Sequence, residues 1–273
     1  MLSLPPIPLA PDPSTTARPG ASKRPQNSGP GMAVVLPVYN AAGHIDEIVD
    51  RVAAFALTSP HYHFYFVNDG SSDSTGPRLR AALNRWGHPR VMGFDLATNL
   101  GKGAAVGHGF ARAVAEAEYL AFLDGDLPYA LTDLHALHTA LAHADVAIGC
   151  RQHPAQVHRA PLRRHLLGRV FNASVRLGFG FPYHDTQAGL KAFRRAAARS
   201  IFANMATAGF SFDVEMLFLA RRQGWRIVEV PVHLQSGHAF ETRPLRLARI
   251  SLHMAWDVLR IRTNALLGRY DPR

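Results

Sequence analysis

The sequence predicts an α/β fold with a mostly parallel sheet flanked by helices, and two observations lead to this prediction. Short apolar runs alternate with segments of about ten to fifteen residues suited to helices, which is the pattern of βαβ units. Polar, glycine-rich turns follow four consecutive runs, as expected where parallel strands place a ligand site at their carboxyl ends. The chain has 273 residues, of which 47% are hydrophobic, enough for the core of one large domain.

The first half of the chain shows the clearest alternation. Five runs are predicted as buried strands: 33–37, 63–67, 91–94, 119–123 and 146–149. The segments between them are predicted as helices: 44–57, 73 or 74 to 85, 102–116 and 131–143. The first helix has apolar residues that recur on one side: Ile45, Ile48, Val49 and Val52. Asp73 or Ser74 is suited to cap the second helix.

After Cys150 the alternation is less regular. An apolar face predicts a helix over 161–176. Residues 188–193 are predicted to return to the sheet, and a helix at 213–222 and a last strand at 225–232 follow them. The second half therefore continues the α/β pattern with longer connections.

Composition divides the chain into three predicted regions. Residues 1–31 are rich in Pro, Ser, Ala and Gly and predict a disordered leader; prolines interrupt the short apolar part, which argues against a signal peptide. Residues 32–240 form the predicted α/β domain. Residues 241–273 form an amphipathic helical segment, with an apolar face between Leu245 and Leu267 and a basic face opposite. Such a helix either lies in a membrane interface or packs on its own domain.

Charge and cysteine content limit the kinds of protein and partner. The formal net charge of +10 predicts an anionic partner, which is nucleic acid, a phosphorylated substrate or an acidic membrane surface. A single cysteine, Cys150, excludes an internal disulfide framework and a zinc site of several cysteines, and it fits a reducing compartment. No uninterrupted run of about 18 apolar residues occurs, so no membrane span is predicted.

Asp124 and Asp126 are the most informative pair in the chain. They lie in one short turn, separated by Gly125, directly after the predicted strand at 119–123. Two carboxylates on a tight turn can hold a hard divalent cation that also binds a diphosphate. The sequence Asp-Gly-Asp also occurs in ordinary turns, so the prediction depends on the turns that follow the other strands.

Three further polar turns follow the first three predicted strands. The first contains Tyr39 and Asn40, and the second contains Asp69, whose side chain is of a kind that can read a base edge. In the third, Lys102 stands between glycines at the start of a helix, a position suited to an anion. This third turn is not a Walker loop, because Gly103 follows the lysine where Ser or Thr is required.

Taken in order, these motifs resemble the family 2 glycosyltransferases of the GT-A fold, with their Pro-x-Tyr-Asn, Asp-Gly-Ser-Ser-Asp and Asp-x-Asp sequences. Later segments resemble the dolichyl-phosphate β-glucosyltransferases and related polyprenyl-phosphate hexose synthases: 185–193, 210–215, 227–232 and 257–264. The resemblance implies a GT-A, Rossmann-like domain over 32–240. The chain departs from it in two places. The leader replaces a membrane helix of the eukaryotic enzymes, and Pro128 stands where many relatives have a side-chain metal ligand.

The resemblance also implies roles for individual residues. Four are expected to border the donor nucleoside: Pro37, Tyr39, Asn40 and Asp69. Lys102 is expected to approach the diphosphate, while Asp124 and Asp126 hold the sugar end and Mg²⁺ or Mn²⁺. The acceptor phosphate is expected to meet guanidinium groups, which fit its oxygens: Arg151 and one of Arg163 and Arg164.

Asp185 is predicted to lie near the reacting centre. Three roles remain open for it: orienting the donor sugar, pairing with an arginine, or assisting the attack. The third role matters most if the acceptor is a hydroxyl, which needs a general base, whereas a lipid phosphate is already anionic.

The predicted function is an inverting, metal-dependent transfer of a hexose, with UDP-glucose as the expected donor and a polyprenyl or dolichyl phosphate as the acceptor. A location on the cytoplasmic face of a membrane, held by the amphipathic segment, is expected with it. One alternative keeps the fold but uses GDP-mannose, or a saccharide or small soluble acceptor. Another is a basic protein that binds nucleic acid, although no nucleic-acid motif is found and no such partner is expected.

Overall fold

The computed structural model describes residues 31–113, 115, 117–151, 178–207, 209, 212–235, 256 and 259–270. Within these residues seven strands form one sheet: β1 (Met32–Val38), β2 (Tyr62–Asn68), β3 (Val91–Asp95), β4 (Tyr119–Leu123), β5 (Val146–Cys150), β6 (Leu190–Arg194) and β7 (Ile227–Pro231). The predicted helix at 161–176 lies outside the described residues, and so do Arg163 and Arg164.

The order of strands across the sheet is β3-β2-β1-β4-β6-β5-β7. β1 pairs in parallel with β2 and β4, and β2–β3 and β5–β7 are also parallel pairs. β6 lies between β4 and β5 and is antiparallel to both. The predicted mostly parallel sheet is therefore confirmed, and the predicted return of the chain to the sheet corresponds to β6.

Six helices connect the strands within the described residues: α1 (Ile45–Thr58), α2 (Thr75–Trp86), α3 (Lys102–Ala113), α4 (Asp133–Ala140), α5 (Arg195–Ala203) and α6 (Phe212–Arg222). Five of them were expected from the sequence. α5 was not expected, because Arg194 ends β6 and is also the residue that precedes the helix, so no turn residues mark the change.

Side chains alternate between the two faces of the sheet, and each face carries its own hydrophobic core. On one face Val34 and Leu36 of β1 pack with α1, α2 and α4. On the other face Val35 of β1 packs with α3, α5 and α6, where Phe110 and Leu217 are buried. Because both faces are covered, the strands read as nearly continuous apolar runs. The two cores fix the carboxyl ends of β1, β2 and β4 along one edge of the sheet.

The described part of the C-terminal segment packs on the domain. Ile261 is fully buried, and the Tyr270 hydroxyl donates a hydrogen bond of 2.5 Å to Glu215 in α6. Four large apolar side chains of this segment remain exposed: Trp256, Leu259, Leu266 and Leu267. In the part of the chain that the structure describes, no helix is long and apolar enough to cross a membrane.

An aromatic cluster lies at the opposite end of the sheet, where β2 begins. Tyr62 is buried, and its hydroxyl lies 2.9 Å from Nδ1 of His135 and 3.4 Å from Nδ1 of His138. The rings of Tyr62 and His135 meet edge to face with 5.2 Å between their centroids. Burial raises the pKa of Tyr62 to about 12.

We predict that Tyr62 makes the fold less stable as the pH rises into the alkaline range. An unfolded tyrosine ionises at about pH 10. Between this pH and the folded pKa of about 12, the folded chain holds a proton that the unfolded chain releases. The free energy of unfolding contributed by Tyr62 is therefore present below about pH 10 and is lost as the pH rises through the folded pKa.

Urea unfolding of the wild-type chain and of Tyr62→Phe measures this effect. At neutral pH the variant should be less stable by about 1 kcal/mol, because it lacks the hydrogen bond to His135. The difference should shrink or reverse as the pH approaches about 11.5. A difference that stays constant over this interval would contradict the prediction.

Candidate active site

The acidic turn follows β4 and is held by its neighbours. The backbone N–H of Asp124 donates to the carbonyl of Gly189 at 2.8 Å, and the N–H of Leu127 donates to the carbonyl of Asp124 at 3.0 Å. Leu127 has a φ of 51°, in the left-handed region, which is strained for a leucine. Gly125 lies so close to the carbonyl of Pro37 that a Cβ atom would overlap it. The turn is therefore fixed against both the end of β1 and the segment before β6.

Lys102 lies beside this turn, at the first position of α3. Its ammonium group forms an ion pair with Asp124 and lies 5.7 Å from the ring centroid of Phe122 and 5.4 Å from that of Phe212. Burial lowers the pKa of Lys102, but the negative charges of Asp124 and Asp213 outweigh burial, and the net pKa is raised. The lysine therefore stays charged next to the two carboxylates.

A second lysine lies under the same aromatic ring. Lys191 of β6 is fully buried, and its Nζ atom donates to Oδ1 of Asp213 and to the carbonyl of Ala188, both at 2.6 Å. Its Nζ atom is 5.5 Å from the ring centroid of Phe122. Burial lowers the pKa of Lys191 more than Asp213 raises it. This ion pair joins the start of α6 to the centre of the sheet.

Arg151 and Asp185 form the third cation–anion pair. The guanidinium group of Arg151 donates from Nε to Oδ2 of Asp185 at 2.7 Å and from Nη2 to Oδ1 at 2.9 Å, and the backbone N–H of Arg151 adds a bond of 3.0 Å. Burial raises the pKa of Asp185, but these bonds and the positive charge of Arg151 bring it below its ordinary value. The pairing role is thus the one of the three predicted roles that the geometry displays.

The segment that carries Asp185 is held from both sides. Glu229 of β7 accepts the backbone N–H groups of His184 at 2.7 Å and of Asp185 at 3.0 Å. The hydroxyl of Tyr129, which is buried, accepts the N–H of Gly189 at 3.1 Å. These contacts fix the segment 184–189 against Asp124, and a Cβ atom on Gly189 would overlap the Asp124 carboxylate.

The turns after β1 and β2 are tied to each other. The N–H of Asn40 donates to the Ser71 hydroxyl, and the N–H of Ser72 donates to the Asn40 side chain, both at 2.9 Å. Tyr39 is half-exposed. Pro37 lies within β1, directly beneath this turn.

Asp69 connects the second turn to the third. Its two carboxylate oxygens accept the backbone N–H groups of Leu100 at 2.8 Å and of Gly101 at 2.9 Å. Gly70, with a φ of 60°, lies so close to the backbone of Thr98 that no side chain fits there. Asp69 therefore orders the loop that leads to Lys102, and a role in bordering the nucleoside remains a prediction.

The sequence profile of Glycosyl transferase family 2 matches residues 33–202, which is more than half of the chain. The chain belongs to glycosyl transferase family 2. The resemblance inferred from the sequence motifs is confirmed.

Two similar proteins indicate where this glycosyltransferase lies within the family. The dolichyl-phosphate beta-glucosyltransferase of Saccharomyces cerevisiae is 31% identical over 261 residues, which cover 88% of this chain and 76% of the yeast protein. The polyprenol monophosphomannose synthase of Mycolicibacterium smegmatis is 32% identical over 222 residues, which cover 80% of this chain and 80% of that protein.

Solved structures share the fold. Glucosyl-3-phosphoglycerate synthase from Mycobacterium tuberculosis, in complex with Mn²⁺, UDP and glucosyl-3-phosphoglycerate, aligns with a TM-score of 0.61 over 88% of this chain and 86% of that chain. A complex of the same enzyme with phosphoglyceric acid aligns with a TM-score of 0.62. At identities of 18% and 19%, these likenesses support a shared fold and nothing further. The expected GT-A-like architecture is confirmed.

The acidic turn of the glycosyltransferase fits a hard divalent cation. Oδ1 of Asp124 is buried and, within the described residues, accepts no hydrogen bond beyond its ion pair with Lys102. No cluster of three or more His, Cys, Asp or Glu ligands is found in the described ranges. Asp124 and Asp126 would therefore share Mg²⁺ or Mn²⁺ with oxygens of the donor diphosphate and water, the usual arrangement for Mg²⁺. Pro128 supplies no side-chain ligand to the turn.

Four residues that complete the site were not assigned a role from the sequence: Lys191, Asp213, Tyr129 and Glu229. Lys191 gave a usable signal, since a lysine in an otherwise apolar strand is rarely buried without an anion. The partners of Tyr129 and Glu229 are backbone N–H groups, and no sequence pattern predicts such contacts. Arg163 and Arg164 lie outside the described residues, so their expected contact with the acceptor remains a prediction.

We predict that Gly189→Ala displaces the acidic turn, because the added methyl group would overlap the Asp124 carboxylate. Overpacking of this kind costs about 1–3 kcal/mol of unfolding free energy. Since a displacement of about 1 Å at reacting groups lowers rates on the order of 100-fold, transfer activity should fall by a similar factor.

Gly43→Ala is the matched control, because a Cβ atom at Gly43 meets nothing within 4 Å. Urea unfolding and glycosyl transfer should both match the wild type in this variant. Equal activity of the Gly189→Ala and Gly43→Ala variants would contradict the close contact between Gly189 and Asp124.

Proposed function

We propose that this glycosyltransferase moves a hexose from a nucleotide sugar, expected to be UDP-glucose, to a polyprenyl or dolichyl phosphate with inversion at the anomeric carbon. Similarity to dolichyl-phosphate beta-glucosyltransferases of Saccharomyces cerevisiae, Dictyostelium discoideum and Homo sapiens supports this function. In the proposal residues 32–240 form the catalytic domain, 1–31 a leader and 241–273 a membrane-binding segment.

The pairing of Asp185 with Arg151 is the observation that carries the choice of acceptor. A hydroxyl acceptor needs a general base that accepts a proton as the new bond forms. Asp185 is a weak candidate for that base, because both of its oxygens accept hydrogen bonds from Arg151 and its pKa is lowered. A phosphate monoester arrives already ionised, so this site needs a cation to position it and no base.

Arg151 is suited to that positioning role. The side chain is about one-third exposed (34%), so an incoming anion can reach the guanidinium group. Guanidinium N–H groups fit phosphate oxygens as well as carboxylate oxygens. In the proposal Arg151 holds the acceptor phosphate beside Asp185, with help from Arg163 or Arg164.

The donor side uses Lys102 and the acidic turn. The ammonium group of Lys102 attracts the diphosphate, and Tyr39 and Asn40 border the nucleoside together with Pro37 and Asp69. Mg²⁺ or Mn²⁺ at Asp124 and Asp126, when bound, neutralises charge on the leaving nucleoside diphosphate. Complexes of a protein of similar fold with UDP and Mn²⁺ or Mg²⁺ are consistent with such a site.

The proposed reaction is a single in-line displacement. An oxygen of the acceptor phosphate forms a bond to the anomeric carbon while the bond from that carbon to the diphosphate oxygen breaks. The electron pair of the broken bond leaves with UDP, and no proton has to be removed from the acceptor. A single displacement inverts the configuration of the anomeric carbon.

GDP-mannose is the second candidate donor. It is favoured by the similarity to the polyprenol monophosphomannose synthase of Mycolicibacterium smegmatis, which covers 80% of this chain. The acidic turn and Arg151 have the same roles with either donor. Only the contacts to the base and to the hexose hydroxyls differ.

We further propose a peripheral position on the cytoplasmic face of a membrane, in keeping with the proposed lipid acceptor. Trp256, Leu259 and Leu266 are exposed on the C-terminal segment, and Arg262 and Arg269 are exposed beside them. Apolar side chains next to cationic ones bind the boundary of anionic bilayers. The segment would bring the lipid phosphate close to the domain.

We predict that labelled hexose from UDP-glucose enters organic solvent when the enzyme is incubated with undecaprenyl phosphate and Mn²⁺. The wild-type chain should make this product, and Asp126→Asn or EDTA should lower the rate on the order of 100-fold, because charge on the leaving group is then not neutralised. Asp46→Asn, which alters a surface ion pair with Arg78, should match the wild type.

Parallel reactions with labelled GDP-mannose identify the donor. Label that stays in water with both donors would overturn the lipid acceptor and favour a soluble one. Full activity of Asp126→Asn in EDTA would overturn the requirement for a metal.

We also predict that the chain sediments with vesicles of anionic phospholipid at low salt. The doubly substituted Leu259→Glu, Leu266→Glu variant should lose most of this binding, because it replaces exposed apolar surface with negative charge. Leu57→Glu is the control, since Leu57, near the end of α1, is about as exposed as Leu259. Equal sedimentation of the two variants would contradict the role of the C-terminal segment.

A further inference from the structure

Lys102 is ion-paired with Asp124, a carboxylate that a divalent cation would also need. Its ammonium group is ion-paired with Asp124, and its own charge is also attracted by Asp126 and Asp213. We infer that Lys102 is an internal counter-ion, which neutralises the acidic turn while no donor is bound and transfers to the diphosphate when the nucleotide arrives with its metal. This inference rests on the proposed function, in which Asp124 and Asp126 hold Mg²⁺ or Mn²⁺.

The electrostatics of the turn favour a cation beside it while no metal is bound. Asp124 and Asp126 lie within one turn, and the Asp124 side chain is only 26% exposed. Two neighbouring carboxylates in a partly desolvated site repel each other, and the cost falls when a positive charge lies beside them. Oδ1 of Asp124 is buried and, in the described part of the chain, accepts no other hydrogen bond. Lys102 supplies the missing charge.

Lys102 differs from the other two cations of the site in how firmly it is held. Lys191 is fully buried and donates two hydrogen bonds of 2.6 Å. Arg151 is bound to Asp185 by three. The Lys102 side chain is 21% exposed, and its ammonium group also lies near the rings of Phe122 and Phe212, which attract a cation without fixing its direction.

The backbone next to Lys102 favours this transfer. Lys102 begins α3 and follows Gly101, whose φ is 94° and whose N–H donates to Asp69. The main chain at this point is therefore fixed, while the four-carbon side chain can rotate above it. A helix start also attracts a phosphate group. The ammonium group can thus exchange a carboxylate for a phosphate without movement of the helix.

Competition between Lys102 and the metal has a measurable consequence. In the wild-type chain Mn²⁺ alone must displace the ammonium group from Asp124, so its binding should be weak. Once UDP is present the ammonium group has a new partner, and Mn²⁺ should bind more tightly. The two ligands are then coupled through one side chain, and coupling of this kind commonly amounts to about 5–150-fold in affinity.

Electron paramagnetic resonance titration of Mn²⁺, with and without UDP, tests the inference on the full chain. Without UDP, Lys102→Met should bind Mn²⁺ about tenfold more tightly than the wild type, since a coupling of this size is typical. The gain in Mn²⁺ affinity on adding UDP should be correspondingly smaller in this variant. Lys102→Arg keeps the charge and should behave like the wild type in both titrations.

Thermal unfolding supplies a second readout of the same variants. Without metal, Lys102→Met leaves Asp124 unpaired and should unfold at a lower temperature, and Mn²⁺ should raise that temperature more than in the wild type. Lys102→Gln serves in place of Lys102→Met if the latter does not fold.

The outcomes separate this inference from the proposed function. Equal Mn²⁺ affinity of wild type and Lys102→Met without UDP would overturn the counter-ion while leaving the metal site intact. Weaker Mn²⁺ binding by Lys102→Met would also overturn it, because the lysine would then be supporting the metal. No Mn²⁺ binding by any chain, even with UDP, would overturn the metal site and the inference together.

Discussion

The site depends on the close contact between the backbone of Gly189 and the carboxyl group of Asp124. The carbonyl of Gly189 accepts the N–H of Asp124, and the space beside the glycine is filled by the Asp124 side chain. This contact exists because β6 runs antiparallel between β4 and β5, so the segment before β6 reaches the carboxyl end of β4. Tyr129 and Glu229 then hold that segment in place, and Asp185 lies on the same side of the sheet as the acidic turn.

Three cation–anion pairs neutralise this region: Lys102–Asp124, Lys191–Asp213 and Arg151–Asp185. Buried pairs of this kind contribute little net stability, because the loss of hydration offsets most of the attraction. They differ in exposure, and this difference suggests different uses. Lys191 is fully buried and serves the fold, whereas Lys102 and Arg151 retain access to solvent and can meet phosphate groups on the donor and the acceptor.

Much of this arrangement could be predicted from the sequence, and the limits have physical causes. The strands and the acidic turn were predictable, because apolar runs and strand-end turns are local patterns; the run at 119–123 coincides with β4. The direction of β6 was not, because the sequence of a five-residue strand does not indicate whether its neighbours run parallel or antiparallel to it. The pairing of Arg151 with Asp185 was one of three open roles, since the residues are far apart in sequence. The partner of Lys191 could not be predicted, because Asp213 comes from a different element.

The hydrogen bond from Tyr270 to Glu215 changes how the end of the chain should be regarded. By composition the residues after 240 resemble an appendage. Glu215, however, is fully buried, and its two oxygens are shared among Tyr270 and the backbone N–H groups of Ala206 and Thr207. Removal of the last four residues would remove the Tyr270 phenol and its hydrogen bond to Glu215. The residues that complete the core beside α6 therefore extend to Tyr270.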